Sequence, residues 1–165
     1  MKLKIKIALS LAAVIAVAAM IFFFSAQNAD DSSKLSGAVS EFVLSILVPE
    51  YRDMTPAQRQ PYLERWGLVV RKAAHFTEFA LLAVTLVCFL HYVWRNRAFW
   101  LMLLGAWVIA SLYACTDEIH QMFVEGRGPG VLDVCIDSMG AMTGALASTL
   151  ILWVRQKNRT TEAAG

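Results

Sequence analysis

The sequence predicts an all-helical integral membrane bundle of four transmembrane helices, with an amphipathic helix in its first outer loop. Three observations carry this. Hydrophobic residues make up 58% of the 165-residue chain and charged ones 17%, at a mean hydropathy of +0.52. A water-soluble domain has about 45–50% apolar and about 25% charged residues, so lipid is the better solvent for this single domain. Four stretches, about 5–24, 73–94, 98–116 and 134–154, approach the roughly 20 apolar residues that cross a hydrocarbon core. The flanks of these stretches alternate in charge, which gives them a direction.

The first span is uncharged from Ile7 to Phe24 and follows Lys2, Lys4 and Lys6. A signal peptide would place small residues before its cleavage site. Phe22, Phe23 and Phe24 stand there instead, so a retained first helix is expected. The second span contains Glu78, the third is uncharged and the fourth contains Asp137. Only Arg95-Asn96-Arg97 joins spans two and three, and Arg155, Lys157 and Arg159 follow span four. Short basic flanks stay in the cytoplasm. The expectation is a multi-pass protein of the cell membrane with both termini cytoplasmic and outer loops at about 25–72 and 117–133. Of 13 Asp and Glu residues only Glu162 then falls inside, whereas 8 basic residues lie inside and 7 outside.

The first outer loop has structure of its own. Leu35, Val39, Phe42, Val43 and Ile46 recur at helical spacing, and Pro49 ends the pattern. Such a helix lies in the headgroup plane or leans on the bundle. Thr55-Pro56 followed by Gln58 reads as a cap, an N1 proline and a capping-box partner. A second helix from Pro56 is expected to run into span two, with Pro61 free to kink it.

The polar residues concentrate at the outer face. Gln27 and Ser25 end span one. At the start of span two, Arg71, His75 and Glu78 share a helical face at i, i+4 and i+7. Span three ends in Asp117, Glu118, His120 and Gln121, and Arg127 follows in a turn rich in Gly and Pro. Asp133 and Asp137 open span four on one stripe with Gly140 and Gly144. Each group has a bland reading: interfacial polarity, a snorkelling basic pair, a solvated loop, or close helix packing at Gly140-xxx-Gly144. Their convergence at one depth from four helices points to a functional site, because ionisable residues in a membrane are costly and usually have a role. Cys88, Cys115 and Cys135 lack a CxxC spacing. They read as small apolar helix residues, with a Cys115–Cys135 disulfide as the alternative.

Phe24-Ser25-Ala26-Gln27, Arg71-Lys72-Ala73-Ala74-His75-Phe76-Thr77-Glu78-Phe79 and Asp117-Glu118-Ile119-His120-Gln121-Met122-Phe123 with Gly126-Arg127 resemble the VanZ-like family. Asp133-Val134 and the Gly140–Gly144 segment complete the match. That family is named for a protein linked to teicoplanin resistance. The resemblance implies a membrane protein of the Gram-positive-type cell envelope with a link to glycopeptide susceptibility. The family usually has Asn where this chain has Asp137.

Two functions compete. In the first, a non-enzymatic protein binds a membrane lipid, a lipid-linked envelope precursor or the antibiotic at the outer face. Gln27, Arg71, Lys72, His120, Gln121, Arg127, Asp133 and Asp137 are then the ligand-binding set, with the cations suited to phosphate. In the second, an intramembrane enzyme acts on an envelope lipid or glycan carrier. His75 oriented by Glu78 would be its acid or base, opposed by Asp117 or Glu118. A metal-dependent version would use His75, Glu78, Glu118 and His120, but the nearby Lys and Arg argue against a cation site, so no metal and no cofactor are expected. A channel ranks last, because polar groups at one face trace no route across. No basic run with interleaved aromatics suggests a nucleic-acid partner. Gly140 and Gly144 would also suit a second copy of the chain.

Overall fold

The computed structural model describes residues 1–162 apart from Asn96 and Pro129. The centre of the Arg95–Arg97 turn and the proline of the turn before span four, both singled out in the sequence, lie outside the described residues.

Local chemistry sets the helix boundaries. Helix α1 (Lys2–Ser25) is the first apolar stretch. Helix α2 (Ala29–Leu47) starts where the Asn28 side chain accepts from the Asp31 amide at 2.8 Å, with Asp30 and Asp31 in its first turn. Both features complement the exposed N–H groups of a helix start. Leu47 ends it because Val48 precedes Pro49, and a residue before proline is pushed towards extended backbone. A short 3₁₀ helix (Pro49–Asp53) follows. Helix α3 (Pro56–Val93) begins at the expected cap, where Gln58 Oε1 accepts from the Thr55 amide at 2.9 Å. It passes Pro61 without a break, so loop helix and second span are one rod. Helix α4 (Phe99–Gln121) and helix α5 (Val131–Glu162) complete the chain, with no strand among the described residues. The loop between α4 and α5 is shorter than the 117–133 expected, because α4 carries Asp117, Glu118, His120 and Gln121 at its C-terminal end.

Helices α1, α3, α4 and α5 are long and apolar enough to cross a membrane. Helix α3 is the hub, packing against all four other helices and most extensively against α5. The α3–α5 register is read from pairs rising together: Lys72 with Asp133, His75 with Asp137, Phe76 with Gly140 and Ala80 with Gly144. The two helices are therefore parallel. A Cβ on Gly140 would run into the Phe76 carbonyl oxygen, and one on Gly144 into that of Ala80. The glycine face expected to suit a second copy is thus occupied by α3 of the same chain. A second parallel pair forms between α1 and α4, where Tyr113 donates to the Ala18 carbonyl at 2.8 Å. Trp107 and Ser111 both bond Ser138, at 3.0 and 2.8 Å, and tie α4 to α5. Phe79, Leu82, Ala83, Leu86 and Val87 of α3 form the core with Ala106, Ala110, Ala114, Ala141 and Ala145.

Helix α2 leans on the bundle with an unexpected face. Ser32, Ser36, Ser40 and Leu44 are buried, while Leu35, Val39, Phe42 and Ile46 of the apolar stripe stay exposed. Small residues permit close approach: Gly67 of α3 sits opposite Ser36. Ser40 spends its hydroxyl on the Ser36 carbonyl at 2.6 Å. Where such a stripe meets lipid it is already solvated, so close packing falls to the small residues instead. Cys88, Cys115 and Cys135 are free and exposed, so the alternative disulfide is not formed.

Candidate functional site

The polar C-terminal ends of α1 and α4, the start of α5 and the middle of α3 meet on one side of the bundle, beside α2 and the loop between α4 and α5. That loop is anchored at three points. The Ala29 amide donates to the Glu125 carbonyl at 3.2 Å. Gly126 takes φ +74°, and a Cβ there would stand 2.9 Å from the Ala29 Cβ, so only glycine serves. The Gly130 amide donates to Glu118 Oε2 at 2.7 Å, and the Gly130 carbonyl accepts the first bonds of α5 from Asp133 and Val134. Arg127 is thereby held half-buried over the end of the bundle. Burial and the neighbouring Arg71 pull its guanidinium pKa down, against the carboxylates of Asp117, Glu118 and Glu78. A guanidinium stays charged through such a shift.

The sequence-predicted residues divide into groups. Gln27, Arg71, His75, Glu78 and Arg127 line a cavity of about 530 Å³, whose remaining walls include Phe24, Leu35, Val39 and Val70. Arg71 donates to Ser33 Oγ at 2.8 Å. The Nε atoms of Arg71 and Arg127 are buried without a partner among the described residues. Lys72, Gln121 and Asp133 lie instead around a recess of about 180 Å³ that shares Arg71, His75 and Arg127 with the cavity. Lys72 is ion-paired to Asp133, and Gln121 donates to Ser25 Oγ at 2.8 Å and to Asp117 Oδ2 at 3.0 Å.

Asp137 is fully buried beneath both recesses, at 0% exposure, and neither carboxylate oxygen has a hydrogen-bond partner among the described residues. Its nearest cationic candidate is His75 Nδ1, at 3.9 Å from Oδ1. The His75–Glu78 bond expected within α3 does not form. His75 turns towards α5, while Glu78 lines the cavity. His120 leaves the cluster altogether and stacks on Phe22 of α1 with ring centroids 4.6 Å apart. No group of three or more His, Cys, Asp or Glu side chains is arranged to hold a metal among the described residues. Of the residues named for a metal-dependent version, His120 stacks on Phe22 and Glu118 accepts from the Gly130 amide.

Sequence reasoning underrated Ser25 and missed Ser33. The spacing of Ser32, Ser36 and Ser40 would have signalled the packing of α2, because a stripe of small residues marks a close helix contact, but it points to neither Ser25 nor Ser33.

A family model described as VanZ/LLP1 matches residues 10–153. The chain belongs to the VanZ/LLP1 family. The match runs from within α1 to within α5 and takes in every residue of the polar cluster. Comparison with curated proteins and with solved structures found no match for this VanZ/LLP1 chain.

Glu118 tests which polar residues work and which merely build. Its bond to Gly130 needs an acceptor and no charge. Glu118→Gln is expected to melt within error of the native protein in detergent. Glu118→Ala leaves the Gly130 amide unpaired and should cost about 1–3 kcal/mol. Equal destabilisation by both substitutions would show that the charge itself matters.

Proposed function

We propose that this VanZ/LLP1 chain is a cell-envelope protein that binds a lipid-linked, phosphate-bearing envelope component at the outer face of the membrane. Through that binding it alters susceptibility to glycopeptides of the teicoplanin type. The observation that carries the reading is the cavity beneath α2. Two guanidiniums, from Arg71 and Arg127, stand on walls supplied largely by Phe24, Leu35, Val39 and Val70. Guanidinium forks suit phosphate oxygens, and the apolar walls suit a prenyl or acyl chain. Leu35 and Val39 are also half-exposed, which would give a tail a way in from a bilayer on that side. The basic flanks beyond the opposite end support placing this end outside.

An enzymatic reading has its own support in His75, whose Nδ1 lies 3.9 Å from the buried Asp137, a candidate base near a carboxylate though not hydrogen-bonded to it. Expression in a teicoplanin-susceptible Gram-positive strain separates the two. A binder predicts graded loss of protection across Arg71→Ala, Arg127→Ala and His75→Ala at equal membrane expression. An enzyme predicts full loss with His75→Ala alone and an altered envelope-lipid profile. Equal protection by all three variants would refute both readings of this end.

A further inference from the structure

The opposite end of the bundle holds a second concavity, of about 440 Å³, lined by Lys2, Leu3 and Lys6 of α1, His91 and Tyr92 of α3, Arg95 beyond it, and Arg159 of α5. Four full cations converge on it, and no carboxylate lines it among the described residues. None of the four is ion-paired among the described residues. Lys6 lies over the Tyr92 ring at 5.7 Å, and His91 Nδ1 is buried without a partner among the described residues.

Membrane orientation alone does not call for this arrangement. Charge near the boundary is enough to set topology, and Lys4, Arg97, Arg155 and Lys157 supply it without lining the cavity. Gathering Lys2, Lys6, Arg95 and Arg159 around one hollow adds repulsion that only helix packing opposes. An anion between them reverses that sign. The volume falls within the roughly 300–1,000 Å³ of ligand sites. The donors are those of phosphate recognition: two guanidinium forks and two ammonium point charges. Basic pockets between helix ends at a membrane boundary take phosphate headgroups.

We propose that this basic cavity is an anion site for a phosphate-bearing group, separate from the outer-face cavity and supplied by an anionic lipid headgroup of the adjoining leaflet. The site stands whether or not the outer-face reading holds. The test uses the full chain in nanodiscs of phosphatidylcholine with or without phosphatidylglycerol, read by thermal unfolding and by native mass spectrometry of retained lipid. The cavity triple variant Lys6→Gln/Arg95→Gln/Arg159→Gln is compared with Lys4→Gln/Arg97→Gln/Arg155→Gln. The second removes the same charge from the same three flanks but outside the cavity, so effects on topology are matched.

Each cation near an anionic headgroup contributes roughly fivefold, so the cavity triple should bind phosphatidylglycerol about a hundredfold more weakly. The control triple should stay close to the native chain. Should the cavity triple misfold, Arg159→Gln alone is expected to lose about fivefold. Inorganic phosphate protecting the native chain as well as the lipid does would support the site with a soluble anion as its source. Equal loss in both triples, or a native chain indifferent to phosphatidylglycerol and to phosphate, would overturn the proposal.

Discussion

Alanine at Gly140 or Gly144 is expected to remove most of the folded protein from the membrane fraction. The added Cβ would overlap the backbone carbonyl of Phe76 or of Ala80, and a carbonyl inside a helix cannot rotate away. The parallel α3–α5 contact must then open along its length, which also separates His75 from Asp137 and Lys72 from Asp133. Helix propensity acts in the opposite sense, since Ala is favoured over Gly by about 1 kcal/mol within a helix. Overpacking a tight contact costs about 1–3 kcal/mol even where side chains can yield, and here the obstacle is backbone, so the clash wins. Gly37 supplies the control. Nothing lies within 4 Å of a Cβ built there, so Gly37→Ala should stabilise α2 by roughly 0.5–1 kcal/mol. Thermal unfolding in detergent reads all three. A native-like melt for Gly140→Ala and Gly144→Ala would mean that α3 and α5 do not pack as closely as described.

The largest functional effect is expected from removing both guanidiniums of the cavity beneath α2, Arg71 and Arg127. A hydrogen bond to a charged group contributes about 1.5–3 kcal/mol, so Arg71→Ala or Arg127→Ala alone should weaken binding of a polyprenyl phosphate about 10- to 100-fold. The double variant should fall further than either. Arg127→Lys should recover only part of the loss, because an ammonium lacks the planar fork. An uncharged polyprenol, lacking the phosphate, should bind weakly to native and variant chains alike. Nanodisc-reconstituted protein and native mass spectrometry measure each case. Thermal unfolding guards against a fold defect, since Arg71→Ala also removes the bond to Ser33. If the double variant binds the phosphate as the native chain does, the cavity is not the ligand site.

Much of the architecture was legible in the residues because its causes are local. The four spans follow from length and hydropathy. The start of α3 follows from Thr55-Pro56 and Gln58, and the end of α2 from Pro49. The gathering of Arg71, Glu78 and Asp137 at one level follows from where each falls along its own helix, and that of Arg127 from the short loop that follows α4. Helical spacing also placed Asp133, Asp137, Gly140 and Gly144 on one stripe, and the stripe does face a neighbouring helix.

Which neighbour, and at what rotation, was decided by tertiary packing. Spacing relates His75 to Glu78, yet α5 brings Asp137 to the histidine and leaves Glu78 to the cavity. Spacing also puts His120 on a face with Asp117 and Gln121, but α1 draws His120 onto Phe22 while Gln121 reaches Ser25. The apolar stripe of α2 left open whether the helix lies in the headgroup plane or leans on the bundle, and it is the serine stripe that packs. The common reason is the solvent. In water an apolar stripe shows which face a helix buries; in lipid that stripe is already solvated. The choice passes to small residues that let backbones approach and to the few hydrogen bonds they allow. Sequence alone therefore determined the helices, their order and the level of their polar groups. Only the folded bundle determined which of those groups touch.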